Sequence, residues 1–531
     1  MKNILIIKKY MKIIKLTIIT LFVTLNSIFA QEINSSKIDA LVNRALASTP
    51  SVGIAVAVVK DGKVIHSKGY GVKSIKNKEK VDENTLFAIA SNSKAFTAAT
   101  LAILVDEGKL KWEDKVITYI PEFKMYNDYV TANFTVLDLL THRSGLGLGA
   151  GDLMFFPDGS NFTIKDVVSS FQYQKPVSAF RTKYDYDNLL YIVAGEVVAR
   201  VSGMPWADFV QSRIFNPLGM KNSVPISSKL AKNANLALPH DSESEKIKQL
   251  ATYDNDLIAA AGGIYASVHD LTKWMLMQLN NGKYGKELSN ELFSEKQQRQ
   301  MWSPHTNLRF TTKPNPRTKQ HFAAYGLGWF ITDKQGKIVI NHTGGLPGML
   351  SKTVLVPELN LGIVVLTNSL PGGKAYSSIP ETILDSYLKI QAKDWVKILA
   401  EQAKATGQES DSVTTKVWKT VERNKSVNIN LNNYLGTYKD NWFGEVEISL
   451  KNGRLWFTSK RSPKLNGQMF YYKATTFAVK WEYKDMNADA FATFNLDEEG
   501  KAIGIKMKGI SPNIDFSFDF HDLNLKRVEN K

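Results

Sequence analysis

The chain has 531 residues, of which 44% are hydrophobic and 22% charged, so it is long enough to form two or three globular domains. It contains no cysteine, which excludes disulfides, thiolate nucleophiles, thiolate metal ligands and a lipid-modified amino-terminal cysteine. Of its formal charge of +16, five lysines lie in the first 30 residues with no acidic residue, and the remaining +11 is scattered without any nucleic-acid recognition motif.

The first 30 residues have the pattern of a secretory signal. Four lysines between residues 8 and 15 precede an apolar run over residues 16–29, and the small residue Ala30 closes it. The run is short for a transmembrane span, so the pattern favours a cleaved signal over a membrane anchor. We therefore expect an exported bacterial protein, periplasmic or secreted, with no stable membrane span after cleavage.

The next segments predict a hairpin and several helices. Residues 52–60 and 63–71 are strand-like and flank an Asp-Gly dipeptide, which is typical of tight hairpin turns. Residues 91–107 have apolar side chains at helical spacing and end before Gly108. Two further helices are predicted, at residues 136–140 and 189–201.

Strand patterns return near residue 337. Residues 337–341 lead into a His-Thr-Gly-Gly sequence, residues 352–356 and 361–367 form a second hairpin, and residues 377–390 predict a covering helix. Strands at both ends of the first 390 residues, with helices between them, indicate an α+β domain. We expect one antiparallel sheet flanked by helices and carrying a helical insertion.

The rest of the chain predicts a linker and a small all-β domain. Residues 391–430 are polar and predict a helical or partly flexible linker. Residues 431–531 predict an open or barrel-like domain of short strands, at residues 444–450, 455–459, 470–472, 477–481, 490–494, 503–507 and 514–520. The predicted division is therefore a signal at 1–30, a first domain at 31–390, the linker and the all-β domain.

Ser91 and Lys94 form a Ser-x-x-Lys motif at the start of the helix predicted over residues 91–107. Residues three apart share a helix face, so the two side chains can meet. The helix N-terminus disfavours a protonated lysine, and a Lys94 with a lowered pKa could accept the proton of Ser91. The motif alone is weak evidence, because a lysine-rich chain contains it by chance.

The surrounding residues resemble the class C β-lactamase-like (penicillin-recognising) serine hydrolases. The resemblance covers residues 36–390 and rests on the segments 87–97, 108–123 and 135–146. It also rests on the order of three elements, which are Ser91-x-x-Lys94, Tyr186-x-Asn188 and His342-x-Gly344. The tail from about residue 431 resembles a lipocalin-like accessory domain. The resemblance implies a β-lactamase/transpeptidase-like fold and an acyl-enzyme mechanism that needs no metal or cofactor.

The resemblance also implies roles for individual residues. Tyr186 would be the partner base and later the acid for the leaving group, with a nearby cation holding its phenolate or orienting its hydrogen bond. Asn188 would bind Lys94 and a substrate carbonyl. The strand segment Thr343-Gly344-Gly345 would form one wall of the site, and the N–H groups of Gly345 and Ser91 would form the oxyanion hole. On its own the Tyr186-x-Asn188 triplet would be read as structural.

His342 stands where β-lactamases usually carry a lysine. Histidine is a weaker anchor for a carboxylate, so a peptidase or esterase is expected in preference to an efficient β-lactamase. The other seven histidines are dispersed without metal-ligand spacing, and His142 is assigned a structural role. Residues 260–267 are expected to line the site, and the lack of a Gly-x-Ser-x-Gly elbow excludes an α/β-hydrolase.

The sequence therefore predicts a serine hydrolase that acts on amide or ester bonds. Its expected partner is a small substrate, namely a D-amino-acid peptide, a peptidoglycan fragment or another cell-wall-derived molecule, or a small ester. Three alternatives stay open: a β-lactamase, a penicillin-binding sensor that is acylated with little turnover, and an inactive scaffold. The sequence identifies neither the substrate nor the oligomeric state.

Overall fold

The computed structural model describes residues 32–243, 246–370 and 373–529. The secretory signal predicted for residues 1–30 lies outside the described residues. Of the helices that are described, none is both long enough and apolar enough to span a bilayer. The described chain has a sheet-and-helix part, a long connecting helix and a β-barrel.

The sheet-and-helix part is built on one eight-stranded antiparallel sheet, in the order β2-β1-β14-β13-β12-β11-β10-β9. Asp61 and Gly62, which join the first two strands, have φ of 50° and 76°, as the predicted tight turn requires. The strands of this part are β1 (Gly53–Lys60), β2 (Lys63–Gly71), β3 (Phe87–Ala88), β4 (His240–Glu243), β5 (Lys246–Gln249), β6 (Tyr265–Ala266), β7 (Lys283–Tyr284), β8 (Asn290–Glu291), β9 (Thr306–Phe310), β10 (Phe322–Tyr325), β11 (Phe330–Lys334), β12 (Lys337–Leu346), β13 (Met349–Val356) and β14 (Leu361–Thr367).

Helices cover both faces of this sheet, as the sequence predicts. They are α1 (Ser35–Ser48), α2 (Ser93–Asp106), α3 (Val116–Tyr119), α4 (Asp128–Asn133), α5 (Val136–Leu139), α6 (Ile164–Ser170), α7 (Leu189–Ser202), α8 (Trp206–Val210), α9 (Asn216–Leu218), α10 (Ala259–Gly262), α11 (Val268–Leu279), α12 (Glu295–Met301) and α13 (Gly373–Tyr387).

Strand β1 shows how the layers are arranged. Its alternate side chains belong to two separate cores, one shared with α2 and α11 and the other shared with α1 and α13. Because both faces of the strand are covered, its residues are apolar almost without interruption rather than alternating. The predicted α+β fold, with an antiparallel sheet flanked by helices and a helical insertion, is therefore confirmed.

Helix α2 lies in the middle of the first core. Every residue from Ser93 to Leu104 is buried, so the helix is enclosed on all sides rather than amphipathic. It ends at Asp106, and Gly108 follows with φ of 69°. The residues at its start are consequently held by a rigid support.

The segment predicted as a linker contains one long helix, α14 (Trp395–Arg423). After it, eight strands form a closed barrel in sequence order, so the all-β domain is a barrel rather than an open sheet. The strands are β15 (Gly436–Asp440), β16 (Gly444–Lys451), β17 (Arg454–Ser459), β18 (Asn466–Lys473), β19 (Thr476–Trp481), β20 (Ala490–Leu496), β21 (Ala502–Gly509) and β22 (Leu525–Arg527).

One predicted strand of the barrel is wrong. Residues 514–520 alternate apolar and polar side chains, yet they form a loop, and a 3-10 turn follows at Phe520–Asp522. The apolar Phe518 and Phe520 are buried, but the intervening Asp519 accepts hydrogen bonds from the first part of the chain rather than facing solvent. The barrel is closed instead by β15 and β22, which the sequence pattern did not indicate.

Charged contacts join the barrel to the sheet-and-helix part. The guanidinium of Arg461 binds both carboxylate oxygens of Asp166, at 2.8 and 2.9 Å, and also donates to Asn161. Lys464 pairs with Asp158 at 2.7 Å. The Arg461 hydrogen bonds lower the pKa of Asp166 to about 2.

Replacing Arg461 by Met should lower the free energy of unfolding by on the order of 1 kcal/mol at neutral pH, because a partly exposed bidentate pair is lost. Since the pKa of Asp166 is lowered from 3.8, its contribution is complete above pH 4 and disappears as the pH falls toward 2. Chemical unfolding of both proteins across this range measures the difference. Lys460→Met is the control, because Lys460 pairs with Glu445 of the same barrel and this ion pair does not reach the sheet-and-helix part. An equal loss in both variants would contradict the prediction.

Candidate active site

Ser91 lies in a single 3-10 turn, residues 90–92, that leads into α2. The preceding Ala90 has φ of 47°, a left-handed backbone that residues with side chains seldom adopt. Ser91 is partly exposed, whereas Lys94 is fully buried. Lys94 Nζ lies 3.1 Å from Ser91 Oγ, so the predicted meeting of the two side chains occurs.

The turn that carries Ser91 is fastened to the central sheet on both sides of the serine. Ser351 of β13 donates from its hydroxyl to the carbonyl of Ile89 at 2.6 Å and accepts from the side-chain amide of Asn92 at 2.7 Å. Both Ser351 and Asn92 are buried. Ser91 is thereby fixed in position by residues that the sequence analysis did not single out.

The amine of Lys94 has three hydrogen-bond neighbours. Besides Ser91 Oγ, these are Asn188 Oδ1 at 2.7 Å and the carbonyl oxygen of Ala261 at 2.9 Å. The two carbonyl oxygens can only accept, so a neutral amine would donate to both and keep its lone pair for the hydroxyl of Ser91. Burial lowers the pKa of Lys94 to about 7, against the opposing effect of two nearby carboxyls.

The two carboxyls belong to Asp152 and Asp187, and both are buried. Asp152 Oδ2 accepts from the amide nitrogen of Asn188 at 2.8 Å, which turns the amide oxygen of Asn188 toward Lys94. Asp187 accepts from the backbone N–H of Leu190 at the start of α7. Burial raises the pKa of both carboxyls, and that of Asp187 to about 7.

Tyr186 lies over the amine of Lys94, whose Nζ is 4.8 Å from the ring centre. Burial raises the pKa of the Tyr186 hydroxyl well above its usual value, against a smaller opposing effect of the nearby Ser91. The hydroxyl is therefore protonated near neutral pH. Of the two arrangements expected for Tyr186, an oriented hydrogen bond fits this environment better than a phenolate.

Strand β12 forms one wall beside Ser91. It pairs with β11 only through residues 337–341, so residues 342–346 extend beyond that partner. Thr343 is partly exposed and Gly345 exposed on one face of the strand, while Gly344 is buried on the opposite face. A Cβ on Gly344 would lie 2.2 Å from the carbonyl oxygen of Ile89 and 3.0 Å from the nitrogen of Ser91, so only glycine fits there.

His342 is buried and uses both ring nitrogens. Nδ1 lies 2.6 Å from the carbonyl oxygen of Thr343, which requires the proton on Nδ1, and Nε2 lies 3.0 Å from the hydroxyl of Tyr325, from which it then accepts. Burial and the nearby Lys94 lower its pKa to about 3. The imidazole is consequently neutral and offers no cation to a substrate carboxylate.

The segment 135–146 holds the loop that carries Tyr186. Arg181 pairs with the buried Asp138, and the backbone N–H of Asp185 donates to the carbonyl of His142 at 2.9 Å. His142 Nδ1 accepts from the N–H of Asp187 at 3.1 Å, and its ring centre lies 4.2 Å from that of Tyr186. The contacts of His142 are therefore those of a supporting residue.

A cavity of about 270 Å³ opens over Ser91. Besides Ser91, its wall includes the predicted residues Tyr186, Asn188, His342, Thr343, Gly344 and Gly345. Lys94 lies behind this wall. The wall also includes residues that the sequence analysis did not predict, from three other places in the chain: Phe155, Phe156, Phe330, Asp515, Phe516 and Ser517.

Residues 260–267 support the site more than they line it. Ala260 accepts from the hydroxyl of Thr97 and Ala261 from Lys94, both through backbone carbonyls, and only Gly262 of this segment reaches the cavity. Among the described residues, no group of three His, Asp or Glu side chains is placed to hold a metal ion.

Two parts of the chain match known families. Residues 38–387 match the family Beta-lactamase, and residues 423–527 match a domain of unknown function (DUF3471). The unguisins hydrolase ungD of Aspergillus violaceofuscus is 28% identical over 365 residues, and the protein flp of Staphylococcus aureus is 26% identical over 347 residues. These matches cover 64% and 63% of this chain and span 63% of the length of each relative.

Solved structures share the fold. The octameric penicillin-binding protein homologue from Pyrococcus abyssi aligns with a TM-score of 0.58 over 91% of this chain and 99% of its own, at 19% identity. The D-amino acid amidase from Ochrobactrum anthropi aligns with a TM-score of 0.54 over 66% of this chain and 97% of its own, at 21% identity.

The two glycines of β12 give a matched test of the site's packing. Gly344→Ala should lower the free energy of unfolding by about 1–3 kcal/mol, because its Cβ would overlap the backbone before Ser91. Gly345→Ala should change it by less than about 0.5 kcal/mol, because that Cβ meets only Leu350 at 3.4 Å. Denaturant unfolding measures both. Equal stability of the two variants would show that β12 does not lie against the Ser91 turn as described.

Proposed function

The chain belongs to the beta-lactamase family, and we propose that it is a serine hydrolase with Ser91 as the acylated nucleophile and Lys94 as its general base. The observation that carries the proposal is the setting of the Lys94 amine, which has two carbonyl acceptors and the hydroxyl of Ser91 around it. With its pKa lowered to about 7, the amine is in large part neutral at physiological pH and can accept a proton.

In the first step Ser91 Oγ attacks the carbonyl carbon of the substrate as its proton passes to Lys94 Nζ. The carbonyl oxygen becomes an oxyanion beside the 3-10 turn and the edge of β12, where the N–H groups of Ser91 and Gly345 stabilise it. The N–H of Ser91 is in the first turn of a helical segment and therefore needs an acceptor from outside that segment.

Tyr186 then protonates the leaving group. Its hydroxyl is protonated, so it can donate to the departing nitrogen or oxygen, and the phenolate that this leaves can take a proton directly from the ammonium of Lys94, whose Nζ lies 4.8 Å from its ring centre. Loss of the leaving group gives the acyl-enzyme. A water molecule then attacks the ester carbonyl, returns a proton to the same network and releases the acid. Asn188 holds Lys94 and reaches the cavity, where it can bind a substrate carbonyl.

The substrate class is an amide or ester of a small molecule, such as a D-amino-acid peptide, a peptidoglycan fragment or a simple ester. Two relatives support hydrolysis of this kind by their names, a hydrolase of unguisins and a D-amino acid amidase. The neutral His342 makes a β-lactamase less favoured, because most β-lactams carry a carboxylate that this imidazole does not neutralise. Export to the periplasm or the medium belongs to the same proposal.

Incubation with a fluorophosphonate should add one adduct to the protein, and Ser91→Ala should abolish it while the fold, checked by circular dichroism, stays intact. Intact-mass spectrometry measures the adduct. Incubation with a penicillin distinguishes the alternatives, since a decaying adduct indicates a β-lactamase and a persistent one a sensor. Absence of labelling by both reagents, or equal labelling of Ser91→Ala, would contradict the proposal.

The rate of fluorophosphonate labelling should rise with pH and level off above a midpoint near pH 7. The reason is that the neutral form of Lys94 is the reactive one, and its pKa is lowered to about 7 by burial. Labelling rates between about pH 5 and 10 measure the profile. Lys94→Met should label at least about 100-fold more slowly and without this ionisation. A midpoint above about pH 9 in the unaltered protein would mean that Lys94 is charged at neutral pH and is not the base.

A further inference from the structure

We propose that residues 511–519 of the barrel complete the substrate cavity and that Asp515 binds the ammonium group of substrates with a free amino group beside the scissile bond. The proposal rests on the function proposed above and specifies its substrate.

The loop is fixed to the catalytic part of the chain by buried polar contacts. The carboxylate of Asp519 accepts from the backbone N–H groups of Gly151 and Leu153 at 2.8 and 2.9 Å. The hydroxyl of Ser517 donates to Asp152 Oδ2 at 2.8 Å, and the same oxygen accepts from Asn188, which holds Lys94. One carboxylate thus joins the barrel loop to the amide that positions the general base.

Close packing places the loop in the cavity wall. The ring of Phe516 stands edge-on to that of Tyr186, with ring centres 5.8 Å apart. A Cβ on Gly149 would lie 2.9 Å from both the ring and the carbonyl oxygen of Phe516, so the catalytic part is shaped to accept this residue. The loop therefore lies beside the residues around Ser91 with little space between them.

The charges around the cavity favour a cation in the substrate. Among the described residues that line it, Asp515 is the one acidic or basic residue apart from His342, and His342 is neutral. Lys94 lies behind the wall and is enclosed by its three hydrogen-bond neighbours. A substrate carboxylate would thus meet no cationic side chain here, whereas an ammonium group would meet a carboxylate.

Asp515 is suited to this contact. One of its oxygens accepts from the N–H of Ser517 at 2.9 Å, and no described residue forms an ion pair with it. Asp515 is exposed and lines the cavity, and desolvation by the neighbouring protein raises the pKa of its carboxyl. An ammonium group bound there would favour the ionised carboxylate and recover the cost of its desolvation.

The rest of the wall indicates the substituent that accompanies the amine. Besides Tyr186, five phenylalanine and tyrosine side chains line the cavity together with Ile258 and Leu346, and they are Phe155, Phe156, Tyr184, Phe330 and Phe516. Such a surface favours an apolar side chain. The ligand inferred from these features is an amide or ester of an apolar amino acid, or the amino-terminal residue of a short peptide, with its amine free.

The test compares the two enantiomers of phenylalanine p-nitroanilide with their N-acetyl derivatives at about pH 7.5. For the better enantiomer, kcat/KM should be at least about 10-fold higher with the free amine than with the acetylated one. Asp515→Asn should reduce this ratio at least about 10-fold, mainly through KM for the free amine. Glu498→Gln, which removes an exposed carboxylate from a barrel turn, should leave both the ratio and the activity unchanged. A preference for the acetylated substrate, or an unchanged ratio in Asp515→Asn, would overturn the proposal.

A binding measurement separates this proposal from the catalytic one. By calorimetry, 2-phenylethylamine should bind the unaltered protein and Glu498→Gln at least about 10-fold more tightly than it binds Asp515→Asn. The unaltered protein should bind 3-phenylpropanoate, which carries a carboxylate, less tightly than it binds the amine. This result requires no turnover, so it stands even if the fluorophosphonate fails to label Ser91 and the hydrolase proposal falls. Equal affinity for the amine and the carboxylate, or no binding of the amine, would overturn the role of Asp515.

Discussion

The chemistry proposed for the site depends on the burial of one amine, that of Lys94. A fully buried ammonium would be costly, and this cost moves its pKa down to about 7, where proton transfer to and from it becomes easy. The burial is tolerable because each hydrogen-bonding position of the amine has a partner, supplied by Ser91, Asn188 and Ala261. Those partners come from three separate segments of the chain, so the reactivity of the site depends on the correct folding of all of them.

Much of the fold and the local part of the site could be predicted from the sequence. The contact between Ser91 and Lys94 follows from helical spacing, and the first hairpin follows from the conformational preference of Asp61-Gly62. Strand patterns predict five of the eight strands of the central sheet, namely β1, β2, β12, β13 and β14, whereas the short strands β9, β10 and β11 were not indicated. The resemblance to a family supplied Tyr186 and Asn188, which no spacing rule connects to a serine nearly a hundred residues earlier in the chain.

The remainder could not be predicted, because it depends on contacts between distant segments. Asp152 and Ser351 carry no local signal, and each acquires its role only when another part of the chain packs against it. The loop at residues 514–520 shows how a local pattern can mislead. Its alternation is typical of a strand, but two of its polar side chains, Ser517 and Asp519, bind the sheet-and-helix part of the chain instead of facing solvent.

The position of that loop has a consequence for how the protein can change over evolution. The residues proposed for the chemistry lie in the first 345 positions, whereas one wall of the cavity is encoded more than 160 positions later, in a separate barrel. If the proposal holds, mutation of Asp515 in this loop alters substrate preference without replacing the nucleophile or its base, whereas Ser517 and Asp519 are constrained by their hydrogen bonds to the first part of the chain. The fold thus places a variable position of the cavity wall on a different part of the chain from the reactive residues, and this arrangement lets one reaction be adapted to new compounds.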